Sequence, residues 1–164
     1  NDKIEDRDLF DLSGDGKLNY GDIAAMKLAQ LTEAMPDVKE RIEVYFEQEA
    51  LFKEMVKAHT RVEGDLIISD LRGVDPIYSG NRFMIYSLYP EQNISMWIVN
   101  GKGGVGCSCA VGYSILNRTS NVDVGSLMLK YGGGGHKAVG TCQFADEVMD
   151  KNIELLINDI VNYK

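Results

Sequence analysis

Apolar residues recur along this chain at two different spacings, and the change of spacing divides it. Val38, Ile42, Tyr45, Phe46, Phe52, Met55, Val56 and Val62 return at helical intervals. They predict one long amphipathic helix from Asp37 to Val62, closed by Gly64. Pro36 precedes it, with Asp37 set to cap and Glu40 three residues on to reach back. From Asp65 the period changes: Asp65–Arg72 reads as a buried strand closed by Gly73, and Ile94–Val99 as another. Gly101–Gly104 forms a turn, and Val105–Val111 is a hairpin partner. Asn81–Leu88, ended by Pro90, is read as a helix because strands flank it. Asp123–Lys130 is a short helix with Gly132 just past its end, and Ala138–Phe144 a strand. Asp146–Tyr163 closes the chain as a helix with Val148, Ile153, Leu156, Ile157, Ile160 and Val161 on one side. The expected fold is α/β: a mixed sheet of about four to five strands with helices packed on it, preceded by a helical linker segment. The expected divisions are 1–36, a connecting helix 37–63, and a sheet domain 64–164.

Composition adds bounds. The 164 residues are 45% hydrophobic and 26% charged, as in an ordinary soluble domain. No stretch is apolar for long enough to cross a bilayer, and the acidic N-terminus is not a signal peptide, so no membrane partner and a cytoplasmic location are expected. The net charge of −8 argues against general binding to nucleic acid or anionic membranes. Between Gly101 and Gly140, however, the charged residues are Lys102, Arg118, Asp123, Lys130 and Lys137, a locally basic region suited to a small anionic ligand. The three cysteines, Cys107, Cys109 and Cys142, are read as reduced, mostly buried thiols. With only His59 and His136 beside them, they form no convincing zinc set.

The candidate chemistry centres on Gly132-Gly133-Gly134-Gly135-His136-Lys137. Four consecutive glycines carry an entropic cost that a chain tolerates where the backbone takes positive φ or touches a ligand. Consecutive exposed amides in that geometry form a nest for anionic oxygens, and His136 and Lys137 add a ring donor and charge. The plainer reading is a tight helix-to-strand turn. The order Gly-His-Lys-Ala does not fit a Walker loop, and the helix-before-strand order does not fit a dinucleotide fingerprint. Arg118 offers the planar charged fork a phosphate site uses, with hydroxyls at Thr119 and Ser120. The plainer reading there is a surface pair with Asp123.

A second motif lies at Asp11–Asp22. Asp11, Ser13, Asp15, Asn19 and Asp22 place oxygens at positions 1, 3, 5, 9 and 12 of a calcium loop, Gly16 falls at 6, and Lys17 lends its carbonyl at 7. Asp22 is shorter than the usual glutamate. An Asp/Gly-rich turn capping a helix explains the same residues. A calcium-binding, EF-hand-like interaction module without enzymatic role is therefore the alternative function, and a purely structural or assembly domain a third.

The segment NRTSNVDVGSLMLKYGGGGHKAVGTCQF resembles the C-terminal, DHH-associated domain of the DHH phosphoesterases. The flanking PDVKERIEVYFEQEALFKEM and RVEGDLIISDLRGVDPIYSGNRFMIYSLYPEQN are similar to the exopolyphosphatase-like subgroup. The resemblance implies that Arg118, Ser120, the glycine run and His136 hold a terminal phosphate or nucleotide. Family substrates include short RNA, cyclic dinucleotides and polyphosphate, and members are often homodimeric. The family's manganese is held by an N-terminal catalytic domain with an Asp-His-His motif. This sequence has no such motif, so the resemblance implies a substrate-gripping half, inactive alone, of an enzyme that hydrolyses phosphoester or phosphoanhydride bonds. The Asp37–Val62 helix would lie near the junction.

Overall fold

The computed structural model describes residue 30 and residues 36–163. The chain divides into two units, Asn1–Gln48 and Glu49–Lys164. Helix α1 (Pro36–Ala58) is followed by β1 (Thr60–Glu63), β2 (Leu66–Asp70), a 3-10 turn at Arg82–Met84 that runs into α2 (Ile85–Leu88), β3 (Ile94–Asn100) and β4 (Cys107–Tyr113). Then come α3 (Val124–Lys130), β5 (Gly134–His136), β6 (Val139–Phe144) and α4 (Met149–Val161). The strands make one six-stranded sheet in the order β1-β2-β3-β4-β6-β5. Only β2 and β3 pair in parallel; the other neighbours are antiparallel. The α/β class with a mixed sheet and packed helices is as expected, with two strands more than the amphipathic pattern gave.

One of them corrects the long helix. It does not reach Val62: α1 ends at Ala58, and Thr60–Glu63 pairs with Ser69–Leu66 around a turn where Gly64 has φ 59°. Thr60 and Val62 are β-branched, favouring a pleated strand, and the Thr60 and Ser69 hydroxyls bond at 2.8 Å. Gly64 is thus a hairpin residue and not a helix terminator. The Asp37 side chain, expected as a cap, lies outside the described residues, and α1 already begins at Pro36.

Side chains alternate across the sheet and separate two cores. On one face Leu66, Ile68, Met96, Ile98, Cys109, Val111, Cys142 and Phe144 pack with Leu127 and Met128 of α3 and Ile153, Leu156, Ile157 and Ile160 of α4. On the other, Ile67 and Leu71 pack with Phe52, Met55 and Val56 of α1 and Ile85 and Tyr86 of α2. That second cover stops at β3. Beyond it Val139, Thr141 and Gln143 of β6 are exposed, while their neighbours Gly140, Cys142 and Phe144 are buried. The sheet is therefore closed on one side and open over β4, β6 and β5 on the other. The three cysteines are free and buried, as read from the sequence.

Candidate functional site

The glycine run does two jobs, and neither is a nest of four consecutive amides. Helix α3 starts with Asp123 accepting the Ser126 N–H at 3.0 Å. It ends with the Gly133 N–H donating to Met128 C=O at 2.9 Å and the Gly132 N–H to Leu129 C=O at 3.0 Å. With Gly132 at φ 76°, this is a Schellman cap. Two of the four amides are thus turned into the fold. The other two glycines and His136 form β5, the sheet edge, in register Gly134↔Thr141, Gly135↔Gly140 and His136↔Val139. Close approach explains much of the composition here. A Cβ on Gly133 would overlap the Thr141 carbonyl, and one on Gly135 would overlap the Val139 carbonyl. A Cβ on Gly125 would sit 3.0 Å from Gly135 O.

The ladder still leaves donors outward. Tyr113 N–H bonds Ala138 C=O across β4 and β6, so alternate β6 residues turn toward β4 and the intervening ones toward β5. By the same alternation Gly135 directs its N–H and C=O away from β6. It faces a cleft of about 330 Å³ between β5 and α3 whose lining includes Asp123, Ser126, His136 and Lys137.

Arg118 stands elsewhere, on the open face. Its Nε donates to Ile115 C=O at 3.2 Å, and among the described residues no carboxylate pairs with it, Asp123 being engaged as a helix cap. Arg118, Ala138 and Val139 line a larger cavity of about 460 Å³. His136 lies directly opposite Val139 on the neighbouring strand, so Arg118 and His136 border the same open face. Thr119 and Ser120 do not join them. Thr119 Oγ1 donates to Asn117 Oδ1 at 2.7 Å and accepts from Asn93 Nδ2 at 3.1 Å, which ties the loop. Ser120 Oγ is buried without a partner beside a separate 240 Å³ hollow shared with Asn93 and Tyr163.

The sequence reading missed the rest of the large cavity: Arg82, Phe83, Tyr86, Ser95 and Trp97. Tyr86 donates or accepts at 2.7 Å with Ser95 Oγ and donates to Gly112 C=O at 3.3 Å. Burial pushes its phenol up, against the Ser95 bond and the charge of Arg82. Arg82 lies 5.3 Å from the Phe83 ring centroid. The available signal was an arginine and an aromatic adjacent in a short element after Asn81, whose side chain accepts the Phe83 N–H at 3.0 Å.

Among the described residues no three His, Cys, Asp or Glu side chains gather in a way that would hold a metal. The calcium-type loop, Asp11, Ser13, Asp15, Lys17, Asn19 and Asp22, lies outside the described residues. No described helix is long and apolar enough to cross a membrane.

No family profile and no curated protein matches the chain. Solved structures do. The pGpG-specific phosphodiesterase PggH from Vibrio cholerae is 48% identical over 77% of this chain and 43% of its own, with a TM-score of 0.74. An exopolyphosphatase-related protein from Bacteroides fragilis shares the fold at 14% identity, over 89% of this chain and 45% of its own, TM-score 0.54. A DHH-domain protein described as a member of a family of ribosomal proteins does so at 18% identity, over 79% of this chain and 32% of its own, TM-score 0.50. The chain spans less than half the length of each of these structures.

Proposed function

Since the chain belongs to the DHH family of phosphoesterases as a C-terminal, DHH-associated domain, we propose that it grips the phosphate groups of a substrate hydrolysed elsewhere in the full-length protein. The observation that supports this most is Arg118. It is a guanidinium without a carboxylate partner among the described residues, on the open sheet face that His136 also borders. In a chain of net charge −8, an uncompensated arginine beside a histidine suits an anionic oxygen. Lys137 and the outward Gly135 amide stand at the sheet edge, in the cleft that Asp123 also lines.

The domain's own chemistry is binding and orientation. Arg118 fixes a phosphate in two dimensions with its planar fork, His136 adds a ring donor, and the rigid sheet holds both in place. The described residues do not fit a catalytic metal, so manganese is assigned to an N-terminal DHH catalytic domain. Hydrolysis of a phosphoester or phosphoanhydride bond, as in a nanoRNase or an exopolyphosphatase, belongs to that two-domain enzyme. A cytoplasmic, homodimeric protein is part of the same reading.

Calorimetric titration of the chain with short 5′-phosphorylated oligonucleotides, nucleoside monophosphates and polyphosphate tests it. Arg118→Ala and His136→Ala should each weaken binding by about tenfold or more, the scale of one charge-assisted hydrogen bond. Unchanged binding in both variants sinks the assignment. The second reading, calcium binding at Asp11–Asp22, rests on the loop pattern alone. The absence of heat and of added stability at millimolar calcium removes it.

A further inference from the structure

Among the described residues one buried side-chain oxygen has no hydrogen-bond partner, Ser120 Oγ. The neighbouring Tyr113 hydroxyl gives its proton to Val122 C=O at 2.5 Å and has none left for Ser120. Buried polar atoms are rarely left in that condition unless something outside the chain completes them. Ser120 lines the hollow of about 240 Å³ at the end of the sheet where β2 and β3 begin and α4 stops. Asp65, Asn93, Asn121 and Tyr163 share that lining.

The polar groups gathered there are rich in acceptors. Asn93 commits its Nδ2 to Thr119 Oγ1 at 3.1 Å, and its Oδ1 has no donor among the described residues. The Asp65 carboxylate has no cationic partner among the described residues, and no described Lys or Arg lines the hollow. Through Ile160 and Val161, the last turn of α4 brings the negative end of a 13-residue helix to the same place. An anion would be repelled. Water would complete Ser120 but leave the Asp65 charge and the helix end uncompensated. A calcium ion usually gathers several carboxylates, and Asp65 is the one carboxylate in the described lining. We propose that this hollow binds a monovalent alkali cation, balanced by Asp65 and coordinated by the neutral oxygens of Ser120, Asn93 and Tyr163. The site is separate from the phosphate-gripping reading but adjoins it. Ser120 follows Arg118 by two positions and Asn93 ties Thr119, so an ion there steadies the loop that carries Arg118.

Thermal unfolding of the chain in potassium, sodium and tetramethylammonium chloride at one ionic strength tests the site. Oxygens cannot closely coordinate tetramethylammonium, whereas an ion bound only to the folded state raises Tm by mass action. Potassium or sodium should raise Tm saturably by about 4 °C over tetramethylammonium, the shift for a site near tenfold saturation. Ser120→Ala and Asp65→Asn should each remove most of that difference, whatever they do to Tm in tetramethylammonium. Asp65 is exposed, so Asp65→Asn keeps the test open if Ser120→Ala fails to fold. Equal Tm in the three salts overturns the proposal, as does a difference that either folded variant retains in full.

Discussion

Gly133 and Gly134 are neighbours with opposite demands. A Cβ on Gly133 would overlap the Thr141 carbonyl and press on Cys142, whereas nothing lies within 4 Å of one on Gly134. Gly133→Ala is therefore expected to destabilise the domain by about 1–3 kcal/mol through overpacking, and Gly134→Ala to change stability by less than about 0.5 kcal/mol. Thermal or urea unfolding of the two variants measures the contrast, and equal losses would contradict the geometry. The pair also shows why the run was only half legible as sequence. Four glycines announce a backbone constraint, but helix capping, close packing and ligand contact require the same residue. Only the partners of each amide apportion the four among those roles. Arg118 stood out as a lone late arginine. Arg82 and Phe83 did not, because their relation to Trp97 exists only once β3 has been laid beside the 3-10 turn.

At the scale of elements, α3 is tied to α4 through one carboxylate. Asp159 of α4 accepts from Lys130 Nζ at 2.6 Å and from the Tyr131 hydroxyl at 2.8 Å. The Lys130 bond, then the Tyr131 bond, hold its carboxyl below the ordinary value of 3.8. A depressed folded value means the contribution is present above the unfolded pKa and is lost as pH falls through the folded one. Stability should thus be level from neutrality down to about pH 5 and then decline, and Asp159→Asn should flatten that acid limb. At pH 7 the variant should lose roughly 1 kcal/mol or less, because Lys130 is largely exposed and solvent screens the pair. Urea unfolding at a series of pH values checks both; an unaltered acid limb in Asp159→Asn would contradict the pairing. The elements themselves were mostly readable. Helix α4 showed its apolar stripe, and β2, β3 and β6 their alternation or continuous apolar runs. The two strands that were missed, Thr60–Glu63 and Gly134–His136, are short and at the sheet edges. Edge strands bury little, so they leave no hydrophobic period to find.

For the molecule as a whole, the informative asymmetry is between the two faces of the sheet. One is fully covered by α3 and α4, and the other is covered only as far as β3, with the arginines, His136 and the aromatic cavity on the open part. A domain that only needed to fold would gain by covering that face. On the present reading it is left open for a phosphorylated ligand and for chemistry supplied by another domain. The chain alone, given manganese and a dinucleotide, should therefore show no turnover in a hydrolysis assay, and robust manganese-dependent cleavage would contradict the division of labour. The most direct test of the central claim is calorimetric titration of the chain and its Arg118→Ala/His136→Ala double variant with a 5′-phosphorylated dinucleotide, after thermal unfolding shows the two equally stable. The account predicts that the double variant loses at least about tenfold in affinity, the scale of one charge-assisted hydrogen bond. Equal affinity in the two proteins would contradict it.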